Sequence, residues 1–219
     1  MVDVTSSTTV VFDLGGVLIQ WDPRHLYRKL FDAPEEMESF LAEVTTAEWN
    51  AQQDAGRPWA EAVETLVAEH PEQRELIEAF YLRWPEMLAG EMPGTVDVLT
   101  GLRDAGIRLV ALSNWSAEMF PVARERFEFL SWFEGIVISG EVGVNKPDPR
   151  IFEHLAERFG LQPAATLFID DSPVNIAAAR ALGFRAIQFT DAAELRRELV
   201  GLGLLPDVRA GSRTQQPSR

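Results

Sequence analysis

Four short apolar runs, each stopping abruptly at polar residues, limit what this chain can become: TTVVFD (8–13), IRLVALSN (107–114), GIVISGE (135–141) and TLFIDD (166–171). Runs rich in β-branched residues, without polar alternation, read as strands buried on both faces. A fifth run, RAIQF (185–189), is weaker. Between them lie segments with helical spacing: TVDVLTGLRDAG, SAEMFPVARERF, DPRIFEHLAERFG and SPVNIAAARALG. Three of these four close on Gly, the usual C-terminal stop, and Pro173 suits a first helical turn. Strand and helix alternation of this kind predicts an α/β fold built on a doubly wound parallel sheet.

The interval from about Pro23 to Met92 breaks the alternation. It carries helical patterns such as EEMESFLAEV and WAEAVETLVAEH and no convincing strand, and it is too long for an ordinary connection. It reads as an inserted helical bundle, with Trp49, Trp59 and Trp84 as its packing residues. A length of 219 residues suits one core domain carrying such an insertion. The expected division is a core of residues 1–17 and 93–206, an insert of residues 18–92 and a loose, flexible tail of residues 207–219, where Pro, Gly, Ser, Gln and Arg replace apolar periodicity.

Charge and composition exclude several functions. A formal net charge of -14 describes a surface that repels phosphodiester backbones and anionic lipid, so neither nucleic acid nor membrane is an expected partner. An acidic protein that handles an anionic small molecule needs a local cation. The chain has no cysteine, hence no disulfide, thiolate metal site or cysteine nucleophile. No run approaches the roughly 18 apolar residues that span a bilayer, and the N-terminus lacks a basic segment followed by an apolar stretch. A cytoplasmic location is expected. GGV lacks the spacing of a GxGxxG dinucleotide fingerprint.

In an open parallel sheet, ligands sit beyond the carboxyl ends of the strands, near the point where strand order reverses. Asp13, Ser113 with Asn114, and Asp170 with Asp171 all fall on that edge, and Lys146 follows the third run after a short turn. Each has a plain structural explanation when taken singly: Asp13 as a cap, Ser113 and Asn114 as turn residues, Lys146 as a solvated charge. The adjacent Asp170 and Asp171 repel one another unless a cation or donors offset them. Together these residues supply the parts of a phosphoryl-transfer site: a carboxylate nucleophile, hard oxygen ligands for Mg²⁺, small donors for phosphoryl oxygens and one fixed cation.

The motifs FDLGGV, LSN, KPDPRIF and DDSPVN, in this order, resemble the four motifs of the haloacid dehalogenase superfamily, over about Val10 to Gly183. The resemblance implies a Rossmann-like core with a helical cap of the subfamily I type, and WDPRHLYRKLF is similar to members that act as small sugar-phosphate phosphatases of the glucose-1-phosphate type. It implies that Asp13 forms an aspartyl-phosphate. Mg²⁺ would then be held by Asp13, the Gly15 carbonyl, Asp171 and, directly or through water, Asp170. Ser113, Asn114, Gly16 and Lys146 would hold the substrate, and Asn175 would orient the ligands from behind. The implied substrate is a small phosphorylated metabolite; monomer and homodimer both stay open.

One departure stands out. Most phosphatases of this superfamily place a second Asp two positions after the nucleophile as general acid and base, and this chain has Gly15. Either another group substitutes, or the leaving group needs little protonation, as with the hemiacetal oxygen of a sugar 1-phosphate. Asp22 is a poor candidate for the missing acid. The same absence fits two rivals, a haloacid dehalogenase, for which Arg24 or Arg28 would grip a substrate carboxylate, and a catalytically weak binding protein on the same fold. In WNAQQDAGRP, a break between helices, Trp49, Asn50, Gln53 and Arg57 are expected to dip toward the site, with Trp49 and Arg57 as substrate contacts.

Overall fold

The computed structural model describes residues 8–207. Apart from Asp207, the expected tail lies outside the described residues. The strands are β1 (Thr9–Phe12), β2 (Ile19–Trp21), β3 (Leu88–Glu91), β4 (Arg108–Ser113), β5 (Gly135–Ile138), β6 (Thr166–Asp170) and β7 (Arg185–Gln188). Five of them form one sheet in the order β5-β4-β1-β6-β7, with every neighbouring pair parallel. The chain runs outward from β1 through β4 to β5, then crosses back to β6 and β7. The reversal therefore falls beside β1, the strand that delivers Asp13.

The unbroken apolar runs follow from burial on two faces. Val10, Phe12, Leu109, Ala111, Leu167 and Ile169 enter one core cluster, while Val11, Val110, Leu112 and Phe168 enter the other. Successive side chains of a strand point to opposite faces, so a sheet covered by helices on both sides leaves polar residues only at the ends of its strands.

The helices are α1 (Arg24–Tyr27), α2 (Pro34–Glu43), α3 (Ala47–Asp54), α4 (Trp59–Glu69), α5 (Arg74–Leu82), α6 (Thr95–Asp104), α7 (Phe120–Arg126), α8 (Ser139–Val142), α9 (Pro149–Phe159), α10 (Pro173–Ala181) and α11 (Ala192–Gly201). Gly106, Gly160 and Gly183, expected as helix stops, have φ of 74°, 61° and 86°. Two expectations need correction. The helix expected from Ser116 starts at Phe120, because Pro121 has no N–H to donate and settles in a first turn. A short antiparallel pair, β2 with β3, joins the two ends of the insert where no strand pattern was visible. Three- and four-residue strands separated by the whole insert carry too few positions to show a period.

Helices α1 to α5 make up the insert. Its interior is aromatic: Trp59 stacks on Phe80 and Tyr81 with centroids 5.5 and 5.7 Å apart, and Trp49 meets Trp59 edge-on at 5.6 Å. The insert is also pinned to the core. The Trp59 Nε1–H donates to Ser116 Oγ at 2.9 Å, its backbone N–H donates to Glu118 Oε1 at 2.9 Å, and Asn145 Nδ2 donates to the Ala51 carbonyl at 2.6 Å. Trp59 therefore serves both as the centre of the insert and as a fastening. Trp59→Ala is expected to cost about 3–5 kcal/mol of stability, the usual penalty for a fully buried aromatic, as read from urea unfolding.

Candidate active site

The carboxyl ends of β1, β4 and β6 bring Asp13, Ser113 and Asp170 together. Asp13 Oδ1 accepts from the Leu14 N–H at 2.7 Å and from Ser113 Oγ at 2.8 Å. Its Oδ2 lies 3.0 Å from Lys146 Nζ. Lys146 donates onward to Asp170 Oδ2 at 2.7 Å and to the Leu112 carbonyl at 3.0 Å, so all three directions of the ammonium are occupied. Lys146 is 4% exposed, which overturns its plain reading as a solvated charge. Asn114 locks the Lys146 backbone on both sides, accepting from its N–H at 2.7 Å and donating to its carbonyl at 2.9 Å.

Asp170 is fully buried and its oxygens are shared among Lys146, the Ser172 N–H at 2.8 Å and Asn175 Nδ2 at 3.0 and 3.1 Å. Asp171, the next residue, is exposed. Asp13, Gly15, Gly16, Ser113, Asn114, Lys146, Asp171 and Asn175 line a common cavity of ≈ 260 Å³ with Trp21.

Charge in this cavity is unbalanced. Burial pushes Asp13 upward from the usual carboxylate range, against the attraction of Lys146. Asp171 is also raised, by burial and then by the neighbouring Asp170. Burial works against the Lys146 ammonium, yet the Asp13 and Asp170 carboxylates raise its pKa overall. Oxygens of Asp13, Asp170 and Asp171 lie within 4.8 Å of one another, a set of hard donors compatible with Mg²⁺.

Gly16 has φ 74°, and a Cβ there would come within 2.4 Å of Asp171 Oδ2. Gly15 differs: a Cβ would meet nothing within 4 Å. The missing second carboxylate therefore leaves open space, not a filled site.

Two expected contacts lie elsewhere. Trp49 packs into the interior of the insert, 5.2 Å from the Phe80 ring, because its large apolar surface is better buried among aromatics than at a polar cavity. Arg57 turns back along its own segment, with Nε donating to Gln53 Oε1 at 2.7 Å. Neither is among the residues lining the cavity. Gln53 is fully buried and donates to the Trp49 carbonyl at 2.7 Å. The insert instead offers Asn50, Asp54, Trp21 and Trp84, which with Gly15, Asn114 and Trp115 line a second, smaller cavity of ≈ 90 Å³. The two cavities share Gly15, Trp21 and Asn114. Sequence reasoning missed Asp54, Trp21 and Trp115. The signal for Asp54 was its spacing: it stands four residues after Asn50, on the same helix face, just before the Ala55–Gly56 break.

Residues 8–183 match the model of the haloacid dehalogenase-like hydrolase family, and the chain belongs to that family. It is 25% identical over 195 residues to the sesquiterpene phosphatase astK of Aspergillus oryzae, covering 89% of this chain and 96% of the relative. It is 26% identical to (S)-2-haloacid dehalogenase 1 of a Pseudomonas species, covering 53% of this chain and 55% of that one. Further relatives are much longer, and the chain spans 18% of one and 36% of another. Among solved structures, the wild-type enzyme bt-2542 of Bacteroides thetaiotaomicron, in complex with magnesium and inorganic phosphate, aligns with a TM-score of 0.64 at 27% identity, covering 84% of this chain and 94% of that one.

Two substitutions check this geometry. Gly16→Ala is expected to cost about 1–2 kcal/mol for its left-handed backbone alone and to displace Asp171, while Gly15→Ala leaves the urea midpoint close to wild type. Lys146→Met removes the ammonium that lies between two buried carboxylates. That takes away the attraction that holds the Asp13 pKa down, so the folded state binds more protons than the unfolded one and the loss deepens as pH rises. The expected cost is about 3–5 kcal/mol near pH 8 and clearly less near pH 5, by urea unfolding at both.

Proposed function

We propose that the chain is a Mg²⁺-dependent phosphatase of a small phosphorylated metabolite, acting through a phosphorylated Asp13. The observation that carries this reading is the held nucleophile. One Asp13 oxygen is fixed by Leu14 N–H and Ser113, the other stands beside a buried ammonium, and Asp171 faces the same cavity. Asp13 attacks phosphorus, the ester oxygen leaves, and water later cleaves the acyl phosphate. Ser113 Oγ and the Asn114 backbone receive phosphoryl oxygens, and Lys146 offsets charge as it builds between nucleophile and phosphate. Asp13, Asp171 and the Gly15 carbonyl, with Asp170 behind them, would hold Mg²⁺, which supplies the positive charge this acidic cavity lacks.

A sugar phosphate fits best among such substrates, with the helical insert as the cap that selects it. Trp21 Nε1, Trp115 Nε1 and Asn50 Oδ1 are buried without partners, and all three residues line the smaller cavity. Unpaired donors and an acceptor favour a ligand with several hydroxyl groups over a hydrocarbon. The dehalogenase reading is weaker. Arg24, one of the two arginines expected to grip a carboxylate in that reading, is held by Glu38 at 2.6 Å through Nε and Nη2 and also contacts Asp22 through Nη1. Asp22 Oδ1 accepts from the Arg24 N–H at 2.9 Å, just before α1, and Asp22 lines neither cavity.

A panel of phosphorylated metabolites, assayed with Mg²⁺ and with chelator beside halide release from 2-chloropropionate, tests the proposal. Phosphate release that needs Mg²⁺, favours sugar phosphates and vanishes in Asp13→Asn is the expected result. Chelator-insensitive halide release, or phosphatase activity surviving Asp13→Asn, would overturn it.

A further inference from the structure

Phosphate ester cleavage at Asp13 leaves an unmet need: the departing oxygen must gain a proton, and the position beside the nucleophile where a second carboxyl would stand is Gly15. The empty space around Gly15 is not left without an acid, however. The smaller cavity is lined by Gly15 and Asn114 on the core side and by Asn50 and Asp54 from α3. Asp54 is the one ionisable side chain among its lining residues; the others are Gly15, Trp21, Asn50, Trp84, Asn114 and Trp115.

We propose that Asp54, carried by the insert, is the general acid and base that serves the leaving group opposite Asp13. This rests on the phosphatase reading given above.

Three features support the assignment. First, Asp54 is fixed relative to the core. Its carbonyl accepts from Ser139 Oγ, the Ala51 carbonyl one turn earlier accepts from Asn145 Nδ2 at 2.6 Å, and Asn145 immediately precedes Lys146. A Cβ on Gly56 would lie 3.2 Å from the Gly140 carbonyl, so the segment after Asp54 also runs close against the core. Second, the carboxyl is oriented: Asn50 Nδ2 donates to its Oδ2 at 3.0 Å, and among the described residues no Lys or Arg pairs with it. Third, burial raises its pKa to about 7, against a hydrogen bond from the Ser116 main chain, so neither protonation state is far away near neutrality. A purely structural carboxyl at a helix end would gain by meeting an Arg or Lys; this one is kept partly buried, beside an open reaction cavity.

The step balances. As Asp13 forms a bond to phosphorus, the bond from phosphorus to the ester oxygen breaks, and that oxygen takes the Asp54 proton to leave as an alcohol. Asp54, now a carboxylate, then takes a proton from the water that attacks the phosphorus of the aspartyl-phosphate. Inorganic phosphate departs, and both carboxyl groups return to their starting states.

The experiment compares p-nitrophenyl phosphate with phenyl phosphate, similar in shape but differing in how much the leaving oxygen needs a proton. Asp54→Asn keeps the size of the side chain. It is expected to lower kcat/KM, which reports only the steps through departure of the leaving group, by about 10²-fold or more on phenyl phosphate, with a loss of a few-fold at most in kcat/KM on p-nitrophenyl phosphate. Equal losses in kcat/KM on the two esters would mean that Asp54 does not protonate the leaving group, and would overturn the assignment while leaving the phosphatase reading intact. Wild-type activity that survives Asp13→Asn, or its absence on every ester, would overturn both together. Should Asp54→Asn not fold, as judged by circular dichroism, the same comparison on Asp54→Ser decides.

Discussion

The buried Lys146 ammonium holds this site together. It lies between Asp13 and Asp170 and also donates to the Leu112 carbonyl, so it ties the ends of three strands to one cation. Its cost is large, because desolvating an ammonium and two carboxylates is repaid only when each remaining donor and lone pair is satisfied. Ser113, the Leu14 and Ser172 N–H groups and Asn175 meet that requirement on the two carboxylates. Asn114 then prevents the Lys146 backbone from drifting. Removing Lys146 leaves two carboxylates without their cation, and removing Ser113 or Asn175 leaves a carboxylate short of a donor, which is why the cluster acts as a unit.

The same cluster explains how a strongly acidic protein can receive an anion. One ammonium cannot neutralise three neighbouring carboxylates, so the cavity is itself anionic before any substrate arrives. A phosphate dianion would be repelled from it. Hard oxygen donors from Asp13, Asp170 and Asp171 within 4.8 Å of one another suit a divalent cation, and such an ion would reverse the local sign. The net charge of -14 then bears on the surface, where it disfavours nucleic acid and lipid, and not on the chemistry at the sheet edge.

Most of the core was legible in the sequence because a sheet covered on both faces leaves apolar runs with sharp polar ends, and those ends are where the site is built. Asp13, Ser113 and Asp170 could be read as neighbours from that rule alone. The role of Lys146 could not, since Lys before Pro looks like surface; its burial depends on strands far away in sequence. The insert was legible as helices but not as a surface. Trp49 and Asp54 lie on one short helix, and nothing local says that the tryptophan turns inward to Trp59 and Phe80 while the aspartate reaches the cavity. That choice is made by docking against Ser139 and Asn145, contacts between residues about 90 positions apart.

Placing the proton carrier on the insert changes what the insert does. When nucleophile and acid sit two residues apart on one loop, chemistry is complete in the core and closure only excludes water. Here the core holds Asp13 and an open space at Gly15, while Asp54 arrives with α3. The full set of reacting groups then exists only when the insert is seated through Trp59, Ala51 and Asp54 on Ser116, Glu118, Asn145 and Ser139. Substrates that hold the insert in that position gain both binding and a proton donor, whereas those that prop it away lose the acid as well as the contacts. Gly15 is on this view a division of labour, with the core keeping the nucleophile and the insert supplying the proton.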